Sequence, residues 1–451
     1  MNRPAPRRQS PVDSEASEVP VAPHPVAVDA GAPPWRQGAT GLSAAVSDRL
    51  RSLARPLRTR DYRMLWLAQV SSELGDWATR LALTLVVYDR TRSAALSAAV
   101  VTVSLVPWVG LGQVMASWVD HLPRKTVMIC ADLLRAAVFG VLVAPVPIAV
   151  MFVGAFLSGL ATAPFEAARY SIRVEVTDDD EIYSGAITLF GITSQLATIS
   201  GFALGGALVA AVGARATFAV NAGSFVASAL FVTQVRTRSA GRRQGRDRRV
   251  SVFAASRVLL GDPVLRWCSA LSLSSSFAGM GIEAIAAVYG HGRPRDVAVL
   301  AMAVPVGLVV AGIAAPHSGP PRRLLLTAGL LPVVGGLAGL AVFSIGPGIV
   351  VGAIGFAISG FAISVPIPAG PVVGRRLPSS VRGPAFSLLQ GAALGGQAAG
   401  AAFGGMLAGI FGPRTTCIAA CAGLFLLGVA ATVRLPNAKR AFVMPPELQT
   451  L

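Results

Sequence analysis

The chain has 451 residues, of which 53% are hydrophobic, only 14% are charged and 48 are glycine. A soluble chain of this length would form two or three domains with about a quarter of its residues charged. Low charge and abundant glycine instead fit packed membrane helices and argue against a soluble enzyme. The formal net charge is +17, with 37 Arg and 2 Lys making up the 39 basic residues. These fall between long uncharged runs, not in the patch expected of a nucleic-acid reader.

Residues 1–57 are rich in Pro, Ala and Val and have no continuous apolar stretch. They are expected to form a disordered tail and lack the apolar core of a signal peptide. The tail leads into an Arg-rich segment, Arg49 to Arg63, suited to anionic headgroups. Uncharged runs then recur along the chain at 94–119, 136–165, 182–214, 216–235, 297–321, 324–374, 383–413 and 415–433. A spanning helix needs about 20 apolar residues, so the 324–374 run must fold back, at Gly346-Pro347-Gly348. Ala144-Pro145-Val146-Pro147 likewise splits the stretch from Lys125 to Glu166.

With 64–88 and 264–290, which charges interrupt, the count is twelve: 64–88, 94–119, 125–144, 147–168, 182–212, 216–235, 264–290, 297–316, 323–344, 348–372, 383–411 and 414–434. The polar stretch 236–263 divides them into six-helix bundles at 58–235 and 264–434, and 435–451 form a second tail. An even count puts both termini on one side. Loops on the opposite side hold Arg90, Arg92, Arg215, Arg293, Arg295 and Arg414, six in all, whereas the tail side holds 31 of the 39 basic residues. Without the tails the ratio is still 18 to 6, so both termini are expected in the cytoplasm.

The halves repeat at an offset of 199. Gly201-Phe-Ala-Leu-Gly205-Gly206 aligns with Gly400-Ala-Ala-Phe-Gly404-Gly405, and Gly213, Arg215 and Thr217 align with Gly412, Arg414 and Thr416. The six glycines Gly201, Gly205, Gly206, Gly400, Gly404 and Gly405 are read as helix-packing positions. Parallel repeats of this kind build secondary transporters with a site near the midplane between the halves.

The chain resembles the major facilitator superfamily, and within it the bacterial efflux branch of enterobactin-exporter-like and macrolide-efflux-like proteins, over residues 58 to 434. The residues that carry the resemblance are Asp61-Tyr62-Arg63-Met64-Leu65-Trp66 with Ser72-Glu73-Leu74-Gly75-Asp76, the loop Asp120-His121-Leu122-Pro123-Arg124-Lys125, Asp132-Leu-Leu-Arg135 and Asn221-Ala-Gly-Ser-Phe225. The loop has Ala116 and Pro123 where the family has glycines, and the antiporter motif of the fifth span has Phe202 in place of its proline. The resemblance implies an all-α membrane protein of twelve transmembrane helices in two six-helix repeats. It also implies a conformational latch at Asp120, Arg124 and Lys125, with Glu166 and Arg169 in the same region. A carboxylate there can meet helix N-termini or Arg124.

Ionisable groups inside a membrane are functional candidates by default. The first span holds Glu73, Asp76 and Arg80, spaced seven and four apart on one helix face. Asp76 is the first choice for proton coupling or substrate contact, Glu73 the second, and Arg80 is read as their counter-charge. Asp132 and Arg135 read as a structural i, i+3 pair, and Glu283 as a mouth residue. Gln195, Thr198, Asn221 and Gln397 offer uncharged polar groups to a substrate cavity.

No phosphate loop, GxSxG, HExxH or paired-Cys motif is present, so neither an enzyme nor a metal site is expected, and the cysteines read as packing residues. The expected function is proton-driven export of an amphipathic small molecule (a drug, antibiotic or siderophore) with the proton gradient in place of a cofactor. The alternatives are an importer or facilitator of the same fold and a non-transporting membrane sensor or scaffold. Low Lys with abundant Ala, Gly and Arg points to a GC-rich bacterial host, hence the bacterial cytoplasmic membrane. The expected partners are the substrate and the bilayer, with no nucleic acid and a monomeric chain.

Overall fold

The structure, a computed structural model, describes residues 55–108, 122–176, 180–236, 248–316, 319–346 and 348–435. Most of both tails, Asp120, Asp178, Asp179 and Pro347 lie outside these. Every regular element among the described residues is helical. The helices are α1 (Arg60–Thr91), α2 (Ala94–Leu105), α3 (Arg124–Leu142), α4 (Ile148–Val176), α5 (Asp180–Thr233), α6 (Arg248–Gly261), α7 (Pro263–Glu283) and α8 (Ala286–Tyr289). They continue with α9 (Pro294–Ala314), α10 (Pro321–Ile345), α11 (Ile349–Ala362), α12 (Pro366–Arg376), α13 (Ser379–Phe411) and α14 (Pro413–Val433).

Eight helices among the described residues are long and apolar enough to cross a membrane, and one of them, Gly185–Thr233, contains two of the expected spans. The remaining three expected spans fall on α1 and α3, which carry several charges, and on α2, whose described part is short. Large apolar side chains on the outside, among them Leu196, Leu230, Ile313 and Leu337, are left for lipid.

Local chemistry explains most of the boundaries. Proline starts α7, α9, α10, α12 and α14 at a position where its missing N–H is not needed. Asp262 caps α7 by accepting from the Val264 and Leu265 amides at 2.8 and 3.0 Å. The break between α10 and α11 comes where Gly346 and Gly348 flank the turn. The expected span 348–372 is made by α11 and α12 together, Ile349–Arg376, with a short interruption where the chain leaves helical geometry after Ala362 and restarts at Pro366.

Two further features concern the joints. The fifth and sixth spans meet at Gly213 (φ 84°, ψ 166°), where the backbone leaves helical geometry, so α5 is two helices joined at that residue. The repeat-related Gly412 has φ 83° and ψ 159°, so the same left-handed joint occurs in both halves, in a region that disfavours a side chain. The stretch read as a polar linker ends in α6, whose Ala255, Val258 and Leu259 are buried with Leu324, Leu325 and Val373.

Core packing divides by depth. At the end nearest the tails each half has its own core, one around Leu65, Met128, Phe165 and Val232 and the other around Leu265, Leu325, Val372 and Val381. At the far end the cores are shared: Leu81, Leu85 and Phe202 pack with Ile282, Leu300 and Val304, and Val101 and Phe139 lie in one cluster with Met280 and Ala398. The repeat-related glycines make this joint. A Cβ at Gly206 of α5 would collide with Ala298 of α9, and one at Gly405 of α13 with Ala98 of α2. Gly205 lies on the backbone of Ala78, and Gly404 on that of Gly281. Gly201 and Gly400 are similarly covered, by Trp77 and by the backbone of Phe277. Small residues let these helices approach closely where lipid supplies no hydrophobic drive.

Candidate functional site

Asp76 lies about 24 Å along α1, a helix of about 47 Å at 1.5 Å per residue. It is therefore at mid-depth. The side chain is 34% exposed and its Oδ2 is 3.4 Å from Nη1 of Arg135 on α3. Arg135, 1% exposed, is held more closely by Asp132, one helical turn away, at 2.5 Å. Asp132 also accepts from Ser228 Oγ at 2.7 Å. The guanidinium lies over the rings of Phe165 and Phe225 at 4.5 and 4.3 Å. Asp132 and Arg135 are thus more than the local pair their spacing implies, because α1 packs a third charged group against them.

One turn nearer the tails the arrangement recurs. Glu73 Oε1 is 3.4 Å from Arg169 of α4, and Arg169 is paired with Glu166 at 2.5 Å. Phe165 is shared, since both Arg135 and Arg169 lie over it, and Arg169 also covers Phe190 at 4.7 Å. Each set holds two carboxylates and one guanidinium. One acid in each comes from α1, at positions 73 and 76, and an Asp/Glu-x-x-Arg pair comes from α3 or α4.

One sequence expectation changes here. Arg80 is not the counter-charge of Glu73 and Asp76: it points across to the second half, 4.0 Å from Glu283 Oε1, donates to Met280 Sδ at 3.2 Å and lies over Trp77 at 5.1 Å. The far-end joint brings α7 within its reach. A cavity of about 30 Å³ between Arg80, Glu283, Phe202 and Val101 has room for roughly one water. Glu166 and Arg169 lie within α4, which continues to Val176, and Arg169 is 3% exposed. Of the other latch residues, Lys125 donates to the carbonyls of Thr233 and Val235 at the end of α5, at 2.5 and 2.8 Å. Arg124 begins α3, and Asp120 lies outside the described residues.

Among the uncharged candidates, Asn221 is 1% exposed, accepts from Ser224 Oγ at 3.0 Å and packs on Gly75 next to Asp76. Its Nδ2 is buried without a hydrogen-bond partner among the described residues. Thr198 is turned back to its own helix, donating to Ser194 O at 2.9 Å. Gln195 and Gln397 are half-buried. Sequence reasoning missed the buried pair of Asp262 with Arg376, Nε to Oδ2 at 2.7 Å, which ties the α7 cap to the end of α12. The only sequence signal for it was an aspartate before Pro263, the signature of a helix start.

The Major Facilitator Superfamily model matches residues 65–369. An uncharacterized MFS-type transporter of Bacillus subtilis (strain 168), YfiS, is 27% identical over 169 residues, 37% of this chain and 40% of that protein. The chain therefore matches only about two fifths of that relative's length. Among solved structures, a bacterial homologue of the human lysosomal transporter Spinster, inward-facing and unoccupied, has a TM-score of 0.60 at 17% identity, covering 85% of this chain and 96% of that one. The nucleoside transporter NupG has a TM-score of 0.65 at 14% identity, covering 84% and 100%. A point mutant of the peptide transporter POT in complex with alafosfalin has a TM-score of 0.63 at 14% identity, covering 84% and 94%. These likenesses carry the fold, and the family model carries the membership. The chain belongs to the Major Facilitator Superfamily and is a multi-pass membrane transporter of that type.

Proposed function

We propose that the protein is a secondary active transporter driven by proton entry, with Asp76 as the group that takes the proton, and that it exports an amphipathic small molecule. The observation that supports this is the unequal pairing of Arg135. Asp132 holds it closely and is itself satisfied by Ser228, whereas Asp76 stands off at 3.4 Å with a third of its side chain open. Protonating Asp76 leaves the buried Asp132–Arg135 pair intact. A carboxylate at mid-depth also changes its proton affinity when water enters or leaves the cleft between the halves. Export is supported by the resemblance to the efflux branch. Cytoplasmic termini in a bacterial cytoplasmic membrane are supported by the 18 to 6 bias of basic residues between the two sets of loops.

The test is accumulation of fluorescent amphiphiles in a pump-deficient bacterium expressing the wild type or Asp76→Asn, with and without a protonophore. Lower accumulation in the wild type, lost with the protonophore and in an equally expressed Asp76→Asn, is the expected result. Equal clearance by the mutant refutes the role of Asp76, and raised accumulation in the wild type refutes export.

A further inference from the structure

The charged groups of the first half are sorted by burial. The guanidiniums of Arg135 and Arg169 are 1% and 3% exposed, each behind two aromatic rings. Their carboxylate partners Asp76 and Glu166 are 34% and 31% exposed. With all groups ionised, each set carries one negative charge in excess, and the most exposed member of each is a carboxylate side chain. Arg173 is also buried, its guanidinium 3.9 Å from the Phe190 ring. Arg80 is partly open but faces Glu283. The second half supplies no other cation at mid-depth, because residues 297–321, 324–374 and 383–413 contain no Asp, Glu, Lys or Arg.

From this we infer that the substrate is an organic cation with an apolar body. Its positive centre lies against Asp76, and its body lies along the charge-free helices of the second half. An anion in the same cleft would face carboxylate edges and find the arginines covered, an arrangement that repels it. A cation gains the carboxylate and leaves the buried pairs undisturbed. The inference uses the site assigned under the proposed function and adds the charge of its ligand. It does not depend on proton coupling.

Tetraphenylphosphonium and tetraphenylborate have nearly the same shape and opposite charge, so they separate charge from hydrophobicity. Their binding to the purified full-length protein in neutral detergent is measured by equilibrium dialysis, with no gradient present. The phosphonium is expected to bind at least about tenfold more tightly than the borate, a difference near 1.4 kcal/mol. Asp76→Asn should remove most of that preference, Asp76→Glu should keep it, and size-exclusion elution should confirm that both variants are folded. Equal or tighter binding of the borate, binding of neither ion, or an unchanged ratio in Asp76→Asn overturns the inference. If the phosphonium preference depends on Asp76 while export does not, the coupling role fails and the cation site stands. If export is proton-driven through Asp76 and the borate binds better, the reverse holds.

Discussion

Asp132 offers a direct measure of what holds the interior of the first half together. Asp132→Asn removes the closest partner of a guanidinium that is 1% exposed and weakens the acceptor of Ser228. Breaking a buried ion pair from one side costs about 3–5 kcal/mol, since the remaining charge stays desolvated. Arg135 keeps Asp76 at 3.4 Å and the faces of Phe165 and Phe225, which places the expected loss near the lower end, about 3 kcal/mol. For a chain of this size that corresponds to a fall in Tm of roughly 3 °C. Replacing both members, Asp132→Leu with Arg135→Met, removes the stranded guanidinium and should recover part of the loss, the remainder reflecting Asp76 and Ser228, which lose their partners. The native thiols report the transition: Cys268, Cys417 and Cys421 are buried and Cys130 is exposed. A thiol-reactive dye therefore gains signal from the three buried cysteines on heating, above a baseline from Cys130. A single mutant that melts with the wild type, or a double mutant that melts below the single, would refute the reasoning.

The glycine joints and the second-half cap give two further expectations. Gly404→Ala should lower the yield of folded monomer in size-exclusion profiles, because its Cβ falls on the Gly281 backbone, whereas Gly191→Ala meets nothing within 4 Å and should raise stability by about 0.5–1 kcal/mol. Asp262→Ala removes both the α7 cap and the partner of buried Arg376, a loss of about 3–5 kcal/mol. Asp262→Asn keeps a capping oxygen and should lose less in the same thermal assay, and equal melting of the two variants would show that the cap contributes nothing.

Much of the architecture was legible because the membrane imposes a simple rule on composition. Uncharged runs, prolines at helix starts and the glycine pair around Pro347 mark spans and turns without reference to any neighbour. The repeat was legible at Gly213 and Gly412 because a left-handed joint requires glycine in each half. Span continuity was less visible. The break before Pro366 depends on how neighbouring helices support the backbone, and the burial of α6 depends on apolar surface supplied by α10 and α12.

At the site, Glu73, Asp76 and Arg80 stood out by themselves, since a charge in an apolar helix is conspicuous in one dimension. The i, i+3 pairs Asp132–Arg135 and Glu166–Arg169 were equally visible, because three residues on a helix bring side chains to the same face. Their assembly into two acid–arginine–acid sets was not, because it is made by α1 packing against α3 and α4. Arg80 was assigned to the nearest acids on its own helix, and the far-end joint gave it Glu283 instead. The number of charges that enter the membrane, and the depth of each, can be counted along the chain. Which of them are paired, which are covered and which stay open to a ligand cannot, because those properties belong to the contacts between helices and not to the order of residues along one.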